Sequence, residues 1–180
     1  MTEIRIHGRG GQGSVTMAEL LAESAFYDKL ESQAFPNFGV ERRGAPVTAY
    51  VRLDKKPIRL RSQICAPDYV IIQDASLLAD EHILADIKKQ ATVIINTSKS
   101  LNNYKLPKGV RIITIDALEI AQEVIGKPII NTVLLGAFAG VTGLISLTAI
   151  DKAIKERFVK EIAEKNIEAS KKGFEIVANN

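Results

Sequence analysis

The stretch Gly8-Arg9-Gly10-Gly11-Gln12-Gly13 separates a short apolar strand pattern at residues 3–7 from a helical pattern at residues 14–29. The spacing fits G-x-G-x-x-G in the strand–turn–helix context that this motif requires. Glycines let backbone N–H groups approach a phosphate, and a helix N-terminus adds about half a positive charge. The stretch therefore predicts an anion-binding turn. The alternative is that the glycines only let helix and strand pack closely.

A nicotinamide dinucleotide site would also need an acidic residue at the end of the second strand, about 20 residues further on. The second strand pattern, at residues 31–35, runs into Pro36 with no carboxylate at its end. Asp28 has nearly the right offset but falls near the end of the helical pattern. The sequence disfavours nicotinamide and favours another phosphate-bearing ligand.

Composition limits the classes of protein. The chain has 180 residues, 46% hydrophobic and 25% charged, which predicts one globular domain over residues 1–180. A net charge of +3 without a long basic block argues against nucleic acid. Cys65 is the only cysteine, so the chain cannot supply the four thiolates of an iron–sulfur cluster, and we expect a buried, inert thiol. With no signal peptide pattern, we expect a cytoplasmic protein.

An uncharged segment at residues 129–150 is long enough to span a bilayer. Polar residues interrupt it, Thr142-Gly143 predicts a helix end, and Ser146 predicts the N-cap of the next helix. We therefore expect two helices and no membrane span. The spacing of Gly136 and Gly140 predicts close packing of the first helix.

The remaining patterns predict an α/β fold. Strands are expected at residues 47–53, 69–72, 92–96 and 110–115, and residues 58–61 are expected to pair back on the first of these. Helices are expected from the 69–72 strand to residue 89, from Asp116 to residue 125, and at the C-terminus. This alternation implies a single Rossmann-like domain, with a mostly parallel sheet flanked by helices and an antiparallel hairpin possible at one edge.

Three segments together carry a family resemblance. They are the glycine stretch, Phe35-Pro36-Asn37-Phe38-Gly39-Val40-Glu41-Arg42-Arg43-Gly44-Ala45-Pro46-Val47, and Asn131-Thr132-Val133-Leu134-Leu135-Gly136-Ala137. In this order the chain resembles the gamma subunit of the 2-oxoacid:ferredoxin oxidoreductases. The form of residues 41–47 is most similar to the pyruvate member, pyruvate synthase.

The resemblance implies a function for a larger complex. This family decarboxylates a 2-oxoacid on thiamine diphosphate, passes electrons through [4Fe-4S] clusters to ferredoxin and transfers the acyl group to coenzyme A, or runs in reverse and fixes carbon dioxide. Thiamine diphosphate and the clusters are expected on the partner alpha, beta and delta subunits. This chain is expected to contribute coenzyme A binding and subunit contacts, with no catalytic residue and no metal site.

The candidate binding residues follow from the phosphates of coenzyme A. The backbone of Gly10, Gly11 and Gly13 is suited to one phosphate, with Arg9 and Gln12 at the rim. Arg42 and Arg43 are candidates for a phosphate or a partner subunit, or for an ordinary surface ion pair. Asn131 is either a ligand contact or a plain helix N-cap. The full candidate set is Gly8, Arg9, Gly10, Gly11, Gln12, Gly13, Arg42, Arg43 and Asn131.

Two other functions stay open on the residues alone. One is a stand-alone nucleotide- or flavin-binding protein of Rossmann type. The other is a purely structural subunit whose glycine turn binds nothing. His7, at the end of the first strand, is expected to be a structural imidazole with satisfied hydrogen bonds, not an acid or base.

Overall fold

The sheet is built outward from the first strand. The computed structural model describes residues 1–37 and 43–178. Within these residues six strands form one sheet: β1 (Thr2–Arg9), β2 (Glu31–Pro36), β3 (Pro46–Asp54), β4 (Tyr69–Ile72), β5 (Thr92–Asn96) and β6 (Arg111–Ile115). Their order is β2-β3-β1-β4-β5-β6. β1, β4, β5 and β6 are parallel, and β3 is antiparallel to both β1 and β2.

Helices cover both faces of this sheet. The α-helices are α1 (Ser14–Tyr27), α2 (Ala117–Val124), α3 (Asn131–Thr142), α4 (Leu147–Arg157) and α5 (Lys160–Ala178). One face of the sheet packs on them through buried residues that include Ile4, Ile6, Ile71 and Ile94. The opposite face packs on two short 3₁₀ helices, Ala75–Ala79 and Glu81–Leu84, through Val70, Ile72, Val93 and Ile95. Central parallel strands buried on both faces confirm the predicted α/β fold.

Two local predictions were wrong. Residues 58–61 form no strand, because both edges of β3 are already hydrogen-bonded, one to β1 and one to β2. The antiparallel pair at the sheet edge is therefore β2–β3. The expected helix after β4 is broken into the two 3₁₀ helices, because Asp74 and Asp80 each cap a new start by accepting a backbone hydrogen bond.

The uncharged segment at 129–150 forms two helices, as predicted. α3 ends at Gly143, with φ of 62°, and the Ser146 hydroxyl caps α4. A Cβ placed on Gly136 would lie 1.8 Å from the Ser170 carbonyl oxygen, so α3 and α5 touch backbone to backbone. Among the described residues, no helix is both long enough and apolar enough to cross a membrane.

Candidate functional site

The glycine turn lies where the chain changes direction across the sheet. From β1 the chain builds β2 and β3 on one side and β4, β5 and β6 on the other, so the carboxyl ends of β1 and β4 form a topological switch point. Ligands of open α/β sheets bind in the crevice at such a point. In this chain the turn between β1 and α1 occupies that position.

At Gly8 the structure favours the alternative in which a glycine only allows close packing. A Cβ on Gly8 would lie 2.3 Å from both Gln73 Oε1 and Ser14 Oγ. These two atoms are hydrogen-bonded to each other at 2.5 Å, and both side chains are buried. Gly8 is therefore needed to let β1 pack beneath the start of α1.

The start of α1 leaves several backbone donors unused. Gly13, with φ of 75°, precedes the helix and no side chain caps it. The first hydrogen bond of the helix runs from Met17 N to Gly13 O, at 2.9 Å. Within residues 1–37 and 43–178, no acceptor meets the N–H groups of Gly11, Gly13, Ser14, Val15 and Thr16. These are the groups that an anion is able to satisfy.

A cleft of about 480 Å³ opens over these donors. It is lined by Arg9, Gly10, Gly11, Gly13, Ser14, Val15, Thr16, Arg43 and Val47. Five of the nine candidate binding residues thus line one cleft.

The backbone of Gly10 is used within the fold. Its N–H donates to Ala45 O at 2.8 Å, and its carbonyl accepts from Gly44 N at 3.0 Å. These two bonds continue the β1–β3 pairing, which ends at Arg9 and Pro46. The donors available to a ligand are therefore those of Gly11, Gly13 and the first turn of α1.

Arg9 and Gln12 are also engaged by neighbouring groups. The Arg9 guanidinium donates to Asp74 Oδ2 at 2.8 Å, to Ser76 Oγ at 2.7 Å and to Gly44 O at 3.1 Å. Gln12 Oε1 accepts from the Arg9 backbone N–H at 2.7 Å, and Gln12 N donates back to Arg9 O. Arg9 lines the cleft, but each of its three guanidinium nitrogens has a protein partner.

Arg43 is the guanidinium over the turn without such partners. Its side chain is exposed, and its Cγ lies 3.9 Å from the position that a Cβ on Gly11 would take. No ion pair or hydrogen bond of Arg43 is formed with the described part of the chain. Arg42, with Phe38 and Val40, lies outside the described residues. Among the candidates that the structure describes, Arg43 is thus the cation available to a ligand.

The Asn131 side chain packs against the glycine turn at Gly13. Asn131 is the first residue of α3, only 5% exposed, and its Oδ1 accepts from Thr132 N at 2.9 Å. Its Nδ2 lies 2.8 Å from the position that a Cβ on Gly13 would take. The N-cap of α3 is Ile130, so Asn131 is not the N-cap; it is the first residue inside the helix and satisfies the N–H of Thr132.

His7 and Cys65 differ from expectation. His7 is 6% exposed; its Nδ1 pairs with Thr48 Oγ1 at 3.3 Å, whereas its Nε2 is buried and has no partner in the described part of the chain. Burial, and then the positive charge of Arg5, lowers the pKa of His7 to about 4. Cys65 is exposed, not buried, because it lies in the irregular segment between β3 and β4.

A second, polar cleft was not predicted. It has a volume of about 750 Å³ and lies at the carboxyl ends of β4, β5 and β6, on the other side of Gln12. Polar residues directly after each buried strand were the available signal. Its polar lining includes Asp74, Ser76, Asn96, Thr97, Lys99, Tyr104 and Asp116. The described residues contain no group of three or more His, Cys, Asp or Glu side chains suited to a metal ion.

Asp28, whose distance along the chain from the glycine turn is near that of a ribose-binding carboxylate, is used elsewhere. It ends α1, and its two oxygens accept from the N and Oγ of Ser146 at the start of α4. Asp28 is therefore not placed at the end of β2, where the described residues are Pro36 and Asn37.

The fold is that of an α/β protein with a mixed six-stranded sheet, and a glycine turn with unused N–H groups lies at its switch point. Residues 3–176 match the sequence profile described as pyruvate ferredoxin/flavodoxin oxidoreductase. The chain belongs to this family.

Full-length relatives agree. The pyruvate synthase subunit PorC of Methanocaldococcus jannaschii is 54% identical over 170 residues, which are 94% of this chain and 93% of that protein. The crystal structure of pyruvate oxidoreductase subunit PORC from Thermotoga maritima has a TM-score of 0.86 and 34% identity, over 97% of this chain and 95% of that one.

A more distant solved structure shares the fold. It is the 2-oxoglutarate:ferredoxin oxidoreductase from Magnetococcus marinus, with 2-oxoglutarate, coenzyme A and succinyl-CoA bound. Its TM-score is 0.82 at 21% identity, over 99% of this chain but 31% of that longer chain.

Proposed function

We propose that this chain is the gamma subunit of a multi-subunit pyruvate:ferredoxin oxidoreductase. The complex converts pyruvate and coenzyme A to acetyl-CoA and reduces ferredoxin, or runs in reverse. The observation that carries the proposal is the family match over residues 3–176, together with PorC relatives aligned over nearly their full length.

The cofactors of this reaction belong to partner subunits in our proposal. Thiamine diphosphate and the [4Fe-4S] clusters are assigned to the alpha, beta and delta subunits. The residues of this chain do not fit a cluster, because four thiolates are needed and Cys65 is the only cysteine. An exposed, unpaired thiol such as Cys65 suits a reducing compartment, and we place the complex in the cytoplasm.

The part of this chain in the reaction is to hold coenzyme A by a phosphate. The unused N–H groups at the start of α1 and the Arg43 guanidinium converge on one cleft, and both are suited to phosphate oxygens. The Magnetococcus oxidoreductase that shares this fold binds coenzyme A, which supports the same class of ligand here. The chain orients the substrate and supplies no acid, base or nucleophile of its own.

Reconstitution tests the proposal. Alpha, beta and delta subunits are assayed for ferredoxin reduction by pyruvate and coenzyme A, with and without this chain. We expect turnover only when the chain is present, and none from the chain alone. Turnover by the isolated chain, or full coenzyme A-dependent turnover without it, would contradict the gamma-subunit assignment.

A further inference from the structure

We propose that Arg9 is a positioning residue that holds Arg43 over the glycine turn. This inference rests on the proposed function, because the group that Arg43 then meets is a phosphate of coenzyme A. We name the set Arg9, Asp74, Ser76 and the Gly44 carbonyl the Arg9 clamp. It joins three parts of the fold: the end of β1, the first 3₁₀ helix after β4, and the segment that leads into β3.

The acidic side of the clamp is fixed. Asp74 Oδ2 accepts from Arg9 Nε, while Asp74 Oδ1 accepts from Ser76 N at 2.9 Å and from Ser76 Oγ at 2.6 Å. Burial alone would raise the pKa of Asp74, but the hydrogen bonds from Ser76 and Arg9 outweigh it and hold the pKa below its usual value. Asp74 is therefore an ionised, oriented anchor for the guanidinium.

The other side of the clamp fixes the segment that carries Arg43. Arg9 Nη1 donates to Gly44 O at 3.1 Å, and the two backbone bonds between Gly10 and residues 44–45 hold the same segment. Arg43 directly precedes Gly44. Its backbone is thus fixed from one side while its guanidinium stays without a partner among the described residues. A side chain whose backbone is already fixed loses less conformational entropy when the ligand binds.

Arg9 itself is poorly suited to be the ligand's cation. To reach a phosphate its guanidinium would have to leave Asp74, which is itself partly buried, and Gly44 would lose its donor. Asp74 would then repel the phosphate from close range. In our proposal the two arginines have separate roles. Arg9 keeps its bonds to Asp74 and Gly44 and fixes the segment that leads into β3, and Arg43 contacts the ligand.

The test is a double-mutant cycle in the assembled complex, with KM for coenzyme A and KM for pyruvate measured separately. Arg43→Ala is expected to raise the KM for coenzyme A about tenfold, as for loss of one charge-assisted hydrogen bond. Arg9→Lys keeps the charge but loses the planar fork, and Asp74→Asn loses the anchor. Each is expected to raise the same KM about threefold or more, with the KM for pyruvate unchanged.

Non-additivity is the decisive readout. Because the clamp acts through Arg43, adding Arg9→Lys to Arg43→Ala is expected to raise the KM for coenzyme A no further. Arg157→Lys is the matched control for Arg9→Lys, since Arg157 is 31% exposed against 33% for Arg9 and pairs with Glu19 and Glu23 away from the cleft. If the clamp variants fail to assemble, Ser76→Ala gives a milder test, because it removes the hydroxyl that bonds to Arg9 and Asp74 but leaves the Arg9–Asp74 ion pair in place.

The outcomes separate the two proposals. If Arg43→Ala raises the KM for coenzyme A and the clamp variants do not, the positioning role is overturned and the coenzyme A site stands. If the two effects multiply, Arg9 acts independently of Arg43, and the positioning role is again overturned. If Arg43→Ala leaves coenzyme A dependence unchanged, the coenzyme A site is wrong and the inference fails with it.

Discussion

Ser14 donates a hydrogen bond to Gln73 Oε1 at 2.5 Å, and this bond lies directly against Gly8. It joins the first residue of α1 to the residue after β4, across the switch point of the sheet. The glycine turn is therefore held on a buried polar contact between two elements that are far apart in sequence.

The first prediction is that Gly8→Ala destabilises the protein. The new Cβ would meet Ser14 Oγ and Gln73 Oε1 at 2.3 Å, so one of the two side chains must move and their hydrogen bond must weaken. We expect a loss of about 1–3 kcal/mol in the free energy of unfolding, measured by denaturant titration. Adding Ser14→Ala removes one obstructing oxygen, so the double variant should lose less than the sum of the single losses. Simple additivity would contradict this account.

The second prediction concerns the charge preference of the glycine turn. Gly11 has φ of 97°, so every substitution there carries backbone strain. Gly11→Asn and Gly11→Asp have nearly the same shape, and only Asp adds a negative charge beside the phosphate. We expect Gly11→Asp to have a KM for coenzyme A about tenfold above that of Gly11→Asn, with Gly11→Ala also less affected than Asp. Thiamine-dependent decarboxylation of pyruvate should survive in all three.

The comparison of Asp with Asn guards against a purely structural effect. If the two variants assemble and show equal KM values for coenzyme A, no anion binds at the turn. The purely structural interpretation of the glycines would then replace ours.

The third prediction is a loss of stability in mild acid that depends on His7. The pKa of His7 is lowered to about 4 in the folded protein, first by burial and then by Arg5, against 6.5 for the ordinary group. Between about pH 6.5 and 4, His7 therefore binds a proton in the unfolded chain but not in the folded protein. The free energy of unfolding should fall between about pH 6.5 and 4, by about 3 kcal/mol in all.

Unfolding of His7→Gln over the same pH range checks this origin. The variant should lose most of the dependence, whereas His82→Gln, at an exposed position, should keep it. An unchanged slope in His7→Gln would show that another group is responsible.

The fourth prediction tests the contact between α3 and α5. Gly136→Ala would place a methyl group 1.8 Å from the Ser170 carbonyl oxygen, which is backbone and cannot rotate away. We expect a loss of about 3 kcal/mol or more in the free energy of unfolding. Gly126→Ala is the comparison, because nothing lies within 4 Å of its Cβ and only the strain of its φ of 75° applies, about 1–2 kcal/mol. Equal losses in the two variants would contradict the close helix contact.

Much of the fold was predictable because its signals are local. The glycine stretch follows β1 and precedes α1 directly, Gly143 and Ser146 end and start helices through their own backbone and side chain, and the apolar strands show their burial in the sequence. The predicted helix after β4 failed for a local reason, the caps at Asp74 and Asp80, whereas the predicted strand at residues 58–61 failed because distant partners decide. Residues 58–61 form no strand because β1 and β2 already occupy both edges of β3.

The features of the candidate site likewise include some that are local and some that depend on distant contacts. By itself the sequence determined that a glycine turn opens the first helix, because a turn followed by a helix start depends mainly on adjacent residues. Only the tertiary structure decided how Arg9 and Arg43 are placed at the turn. Arg9 meets Asp74 and Gly44, which are 65 and 35 positions away along the chain, and these contacts leave Arg43, among the described candidates, as the cation open to a ligand. Such pairings depend on how the strands are ordered in the sheet, and that order cannot be read from the spacing of residues along the chain.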